Sequence, residues 1–255
     1  MMTVLLRQFY MLALILLFCG AGCFNDKPLP SPSGEKYTKQ NALGMIRTSR
    51  MGLAPVYAPL AEQIVSDFGL SEKDGIGIDL GSGPGTLIVE LCKRTRIHWI
   101  NADINPNFFP NFYRQAEENG LGEQVSAIFA DAHSLPFRDN YADIIVSRGS
   151  YHLWQDKVLA FSEIYRVLKP GAVAYVGRGF SRDLPVETAK KIRAKQGKKM
   201  QYNVDKKAKE LYNIMNKLGI KDYRVEIPKP PGSGNVNYGI WIEFHKPETN
   251  IKNIG

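Results

Sequence analysis

From Ile76 to Thr86 the chain runs Ile-Gly-Ile-Asp-Leu-Gly-Ser-Gly-Pro-Gly-Thr, and few folds accommodate that order. An apolar run reaches an acid, Asp79, and passes into a turn carrying three alternating glycines. A helix pattern opens at once over Thr86 to Lys93. Glycines let the backbone turn sharply and bring bare peptide groups against a ligand, beside the positive end of the next helix. That geometry suits a nucleoside-type cofactor at the carboxyl end of the first strand of a doubly wound sheet. A tight loop without a ligand is the plainer alternative.

The segments that follow repeat the theme. Ile97 to Asn105 reads as a second strand ending in Asp103, which lies 20 residues after Gly83. At that separation an acid accepts from ribose hydroxyls, although an Asp there also suits the cap of a helix starting near Pro106. A third run, Val125 to Ala130, ends in Asp131-Ala132. A fourth, Asp143 to Val146, ends in Ser147-Arg148-Gly149-Ser150. Four apolar runs thus close on polar residues at what should be one edge of a sheet.

Apolar residues at helical spacing mark Leu53 to Phe68 (Val56, Leu60, Ile64, Phe68) and the segment before Pro170-Gly171 (Val158, Phe161, Tyr165, Leu168). Strand five follows as Ala172 to Val176. The last two runs, Tyr223 to Ile227 and Tyr238 to His245, are joined by Pro228-Lys229-Pro230-Pro231-Gly232-Ser233-Gly234. With no helix between them they should pair antiparallel, because a parallel pair needs a long crossover.

Asp79-Leu80-Gly81-Ser82-Gly83-Pro84-Gly85, Ala102-Asp103-Ile104, Asp131 to Phe137 with Tyr141 to Val146, and Glu163 to Gly171 occur in that order. Together they resemble the motifs of class I S-adenosylmethionine-dependent methyltransferases, over roughly residues 45 to 245. The small-molecule branch that includes quinone-biosynthesis methyltransferases is the most similar. The resemblance implies an α/β fold, a doubly wound, seven-stranded, mostly parallel sheet with a C-terminal antiparallel hairpin. It implies S-adenosyl-L-methionine as cofactor and methyl transfer to a small-molecule acceptor. Asp79 would lie near the cofactor's ammonium, with Gly81, Ser82 and Gly83 around its amino-acid end. Asp103 and Ile104 would face the ribose, Asp131 and Ala132 the adenine, and Ser147 would complete the site. A turn-forming role for Asp131 before Ser134 is the alternative. On the acceptor side His152 is a candidate general base, and Tyr57, Arg148, Tyr151, Trp154 and Arg178 are candidate pocket residues. A nicotinamide enzyme would prefer G-x-G-x-x-G to the G-x-G-x-G found here. A module that binds the nucleoside without transferring a methyl stays open.

Composition bears on what surrounds this domain. All of the formal charge of +8 lies after Gly179, where 16 Lys and Arg face 8 Asp and Glu. Lys190, Lys191, Arg193, Lys195, Lys198, Lys199, Lys206, Lys207 and Lys209 form the densest run. A solvated helical face is the expectation, with anionic lipid headgroups as the functional alternative for 190–209. Nucleic acid is disfavoured, because no aromatic platform interleaves the run. Neither the three cysteines nor His98, His133, His152 and His245 have ligand spacing, so no metal is expected.

Residues 1–24 carry Arg7, the apolar run Phe9 to Phe18, and Cys19-Gly20-Ala21-Gly22-Cys23. This is the pattern of an export signal or membrane anchor, and it resembles a bacterial lipoprotein signal acylated at Cys23, apart from Gly20. Residues 25–40 read as a flexible tether and 41–255 as the catalytic domain. S-adenosylmethionine is made in the cytoplasm, so three readings stay open: an anchor leaving the domain inside, a true lipoprotein signal, or translation from Met45.

Overall fold

The computed structural model describes residues 37–197 and 202–248. The apolar head, Cys19, Cys23 and most of the tether lie outside them. Among the described residues no helix is long and apolar enough to cross a membrane.

Two helices precede the sheet, α1 (Lys39–Arg50) and α2 (Ala54–Asp67). Then come β1 (Ile76–Leu80), α3 (Thr86–Cys92), β2 (His98–Asp103), α4 (Phe109–Glu118), β3 (Val125–Phe129) and β4 (Ala142–Arg148). The second half adds α5 (Lys157–Val167), β5 (Leu168–Gly179), α6 (Val186–Gln196), α7 (Val204–Leu218), β6 (Tyr223–Glu226) and β7 (Gly239–His245). The sheet has seven strands in the order β3-β2-β1-β4-β5-β7-β6. β1 to β5 are parallel, while β7 runs antiparallel to both β5 and β6. The expected mostly parallel sheet with a C-terminal hairpin is therefore what the chain forms.

Each strand alternates its residues between two apolar layers, as a sheet covered on both faces must. Ile145, Ala174, Val176, Ile240 and Ile242 pack with Phe161, Ile164, Leu211 and Ile214 of α5 and α7. Ile144, Val146, Val173, Tyr175 and Trp241 pack with Tyr57, Leu60, Ile64, Leu87, Leu91 and Phe112 of α2, α3 and α4. In that second layer Tyr175 and Trp241 stack at 4.7 Å and 3°. Gln63 of α2 donates to the Tyr175 hydroxyl at 2.9 Å, which ties the helix across the sheet.

The amino edge of the sheet is fastened separately. Asp143 accepts from the Ile76 amide at 2.8 Å and from Lys169 Nζ at 2.7 Å. That pairing fixes β1, β4 and β5 in step. The carboxyl edge is left to the loops.

The structure departs from the sequence expectation at α1. Its helix opens at Lys39, so the last two residues read as tether are helical. Only Ala42 and Ser49 are buried along it, and so sparse an apolar face leaves little periodicity to read.

Candidate functional site

Strand order reverses between β1 and β4, since β2 lies on one side of β1 and β4 on the other. The loops leaving those two strands diverge and open a crevice at their carboxyl ends. Every candidate named from the sequence except Tyr57 belongs to a strand end or loop on that edge. Tyr57 is delivered by the first turns of α2.

The glycine turn is held by geometry that only glycine supplies cheaply. Gly81 has φ +69°, and a Cβ on it would overlap the Ser150 side chain. Ser150 donates to the Leu80 carbonyl at 3.0 Å, and Ser147 bonds Ser150 at 2.6 Å. With Ser150 Oγ donating to Leu80, Ser147 Oγ is the donor to Ser150. Ser147 is wholly buried, so its place is beneath the loops as a brace. Gly83 also has a left-handed φ, +58°, but a Cβ there meets only ordinary contacts, with Met45 of α1 at 3.8 Å and Phe108 at 3.9 Å.

Two carboxylates lie beneath this turn. Asp103 Oδ2 accepts from the Gly83 amide at 2.7 Å and Oδ1 from the Asn105 amide at 2.8 Å. Burial raises its pKa to about 6 against those two hydrogen bonds. Asp79 is 2 % exposed, and its Oδ2 accepts from Ser82 Oγ at 2.7 Å. Its Oδ1 is buried without a hydrogen-bond partner. Burial raises its pKa to about 7; Ser82 opposes this, the Asp103 charge adds to it, and Arg148 offsets part. A buried carboxylate oxygen lacking a donor is costly. An amino-acid ammonium brought to the end of β1 would supply that donor and a compensating charge.

Asp131 holds a turn. Its Oδ1 accepts from the His133 amide at 2.9 Å and contacts His133 Nδ1 at 2.6 Å, while the Asp156 amide donates to His133 Nε2 at 3.2 Å. These partners put the ring proton on Nδ1. Ala132 is buried, and Ile104 is half-buried in the bend after β2. In this state the turn-forming role of Asp131 is the one the geometry displays.

On the acceptor side Arg148 ends β4 and lies over the Tyr57 ring at 5.1 Å. Burial raises the Tyr57 pKa; Arg148 opposes the rise and Asp79 adds to it, so the three groups share one neighbourhood. Tyr151 and Trp154 are 1 % and 8 % exposed and belong to the core layer beside Phe161. They form the floor beneath the loop. His152 lies between them in a single 3-10 turn, half-buried and edge-on to Tyr151 at 6.3 Å. Arg178, one residue before the end of β5, stands over Tyr202 at 5.2 Å, and the Tyr202 hydroxyl donates to its carbonyl.

Three residues escaped the sequence reading. Ser150 is named there only within its loop, and Tyr202 follows a stretch of lysines without any motif. Arg193 sits in the basic run expected to be solvated. Instead its guanidinium lies 3.9 Å over Phe180 and donates to the Asn237 carbonyl at 2.6 Å. Lys190 and Lys207 do lie on exposed or half-exposed surface, paired with Glu187 and Glu210. A groove of about 740 Å³ between α5 and α7 is lined partly by Lys206, Lys207 and Lys209 of the basic run and holds none of the candidate cofactor or acceptor residues. Among the described residues no cluster of His, Cys, Asp and Glu is arranged to hold a metal.

Comparison with known proteins adds to this geometry. Residues 78–176 match a family described as a methyltransferase domain. The crystal structure of a candidate S-adenosyl-L-methionine-dependent methyltransferase from Methanococcus maripaludis is 30% identical, with a TM-score of 0.75, over 87% of this chain and 99% of that one. A second, the SAM-dependent methyltransferase of Aquifex aeolicus, is 20% identical with a TM-score of 0.57, over 82% and 98%, and shares the fold. Among curated relatives, the ubiquinone/menaquinone biosynthesis C-methyltransferase UbiE of Vibrio campbellii is 34% identical over 96 residues, 37% of each chain. The uncharacterized methyltransferase YdaC of Bacillus subtilis is 25% identical over 118 residues, 46% of this chain and 62% of that one. The chain thus spans less than two thirds of the length of these curated relatives.

Proposed function

Because the chain belongs to the S-adenosylmethionine-dependent methyltransferase family, we propose that it methylates a small molecule held over the carboxyl ends of β4 and β5. Bound S-adenosylmethionine supplies an already activated sulfonium methyl. The protein's work is then alignment and exclusion of water. Asp79 takes the cofactor's ammonium, and the backbone of Gly81 to Gly83 lies along its amino-acid end. Asp103 keeps its two backbone donors and shares its remaining lone pairs with the ribose, beside Ile104. Asp131 Oδ2 accepts from the adenine amino group, with Ala132 beneath it, while Ser147 braces the two loops. His152, in the turn after β4, is the residue assigned to take a proton from an acceptor that must lose one. Residues 1–24 tie this domain to a membrane, a reading that rests on the apolar head alone.

The observation that carries the reading is the partnerless, buried Oδ1 of Asp79. Calorimetric titration of the full chain in mild detergent tests it, using S-adenosylmethionine, S-adenosylhomocysteine and, as control, NAD. Micromolar binding of the two sulfur nucleosides is expected, weakened at least tenfold by Asp79→Asn. Binding of NAD alone, or of none of the three, would sink the reading.

A further inference from the structure

Three arginines converge on the acceptor side of the crevice: Arg148 at the end of β4, Arg178 near the end of β5, and Arg193 from α6. Each guanidinium lies over an aromatic ring, respectively Tyr57, Tyr202 and Phe180. Stacking orients the fork of N–H donors that a guanidinium carries. Arg148 Nε and Arg193 Nη2 are buried without a hydrogen-bond partner. Among the described residues Arg193 otherwise donates only to the Asn237 carbonyl and to Gln196 Oε1, both uncharged.

Other half-buried arginines of this chain are treated differently. Arg166 is paired with Glu163 and Asp139, Arg94 with Glu90, and Arg182 with Asp67. Among the described residues no carboxylate forms an ion pair with Arg148 or Arg193. The charges also feel one another. Burial draws the Arg193 pKa down to about 10; Tyr202 opposes this, and Arg148 and Arg178 push it further down. A cation drawn out of water beside like charges, with no described carboxylate paired to it, is held unfavourably, and that is the state of Arg193. An oxyanion would reverse that balance, and planar guanidinium forks fit carboxylate and phosphate alike.

The cofactor's own carboxylate does not account for the cluster. It would reach the crevice with the ammonium, beside Asp79, where Arg148 is the neighbour through Tyr57. Arg178 and Arg193 lie beyond it, on β5 and α6. We propose that the methyl acceptor carries a carboxylate or phosphate group, clamped by Arg178 and Arg193 with Arg148 at the boundary between acceptor and cofactor. The proposal rests on the methyltransferase reading and gives it a substrate class.

Its test is an anion titration of the full chain saturated with S-adenosylhomocysteine, using inorganic phosphate in one arm and succinate in the other. At least one should bind, and the stronger of the two names the group. Arg193→Gln should weaken that binding at least tenfold while leaving S-adenosylhomocysteine affinity within twofold. Arg178→Gln, which leaves the Asn237 and Gln196 contacts of Arg193 intact, should show the same loss and keeps the test valid if Arg193→Gln does not fold. The inference is overturned if neither anion binds, if binding ignores both variants, or if the anion displaces S-adenosylhomocysteine. Failure of S-adenosylhomocysteine to bind the wild type is a separate result, which removes the methyltransferase reading and this inference with it.

Discussion

Asp79 shows how a site residue can act against the fold that holds it. Its pKa is raised, so the stability it contributes is present below the ordinary carboxylate range and is lost as pH rises through about 7. Asp79→Asn removes the buried charge. It should raise the Tm of the ligand-free protein at pH 8 by about 5 °C, read by calorimetry. The same ionisation governs binding. At pH 6 only about one tenth of Asp79 is ionised, so wild-type affinity for S-adenosylhomocysteine should be about tenfold weaker than at pH 8. In Asp79→Asn that difference should vanish. The two glycines separate in the same way. Gly81→Ala drives a methyl into Ser150 and should cost about 2–3 kcal/mol. Gly83→Ala pays only for its left-handed backbone, about 1 kcal/mol. Thermal melts of the two variants check the order. These residues were legible because strand-end acids and a glycine turn recur at fixed separations. Arg193 was not, since a stacked arginine and a solvated one look alike in a lysine-rich run.

Among the elements, α1 is the one least determined by its own sequence. Its contacts with the domain include Ser49, bonded to Thr86 Oγ1 at 3.3 Å, Met45 near Gly83, and packing against the turn Pro106–Phe108. With so little buried, it should open more readily than the sheet. Hydrogen exchange followed by mass spectrometry should find its amides among the fastest-exchanging helical amides. S-adenosylhomocysteine should slow them severalfold, while the amides of β1 and β4 stay unchanged. The opposite case is the pair β6 and β7. Their short link, Pro-rich and without a helical pattern, left antiparallel pairing as the only economical choice, and both strands lie within two residues of where periodicity placed them. β5 begins earlier than expected, at Leu168. The chain irregularity at Lys169-Pro170-Gly171 is absorbed by a shift in register against β4 between Ala142 and Ile144, which no local pattern announces.

For the whole molecule, sequence order and sheet order tell one story. The terminal hairpin was readable from the missing helix between the last two runs, and the doubly wound sheet from motifs whose order resembles that of a known family. The proposed acceptor side was legible only in part: Arg148 and Arg178 lie near strand ends, whereas Arg193 of α6 and Tyr202 share no motif with them. The head belongs to this scale too. Deleting residues 1–24 should move the protein from the membrane pellet to the supernatant on fractionation. Cys23→Ser should have that effect only if the attachment is a lipid on that cysteine.

The reversal of strand order between β1 and β4 also divides the chain along its length. The groups assigned to the donor run from Asp79 to Ser147, and the arginines assigned to the acceptor from Arg148 to Arg193. The match to the shared methyltransferase domain ends at Val176, two residues before Arg178. Such a gene can keep its first half under inherited constraint while the second drifts toward a new diet.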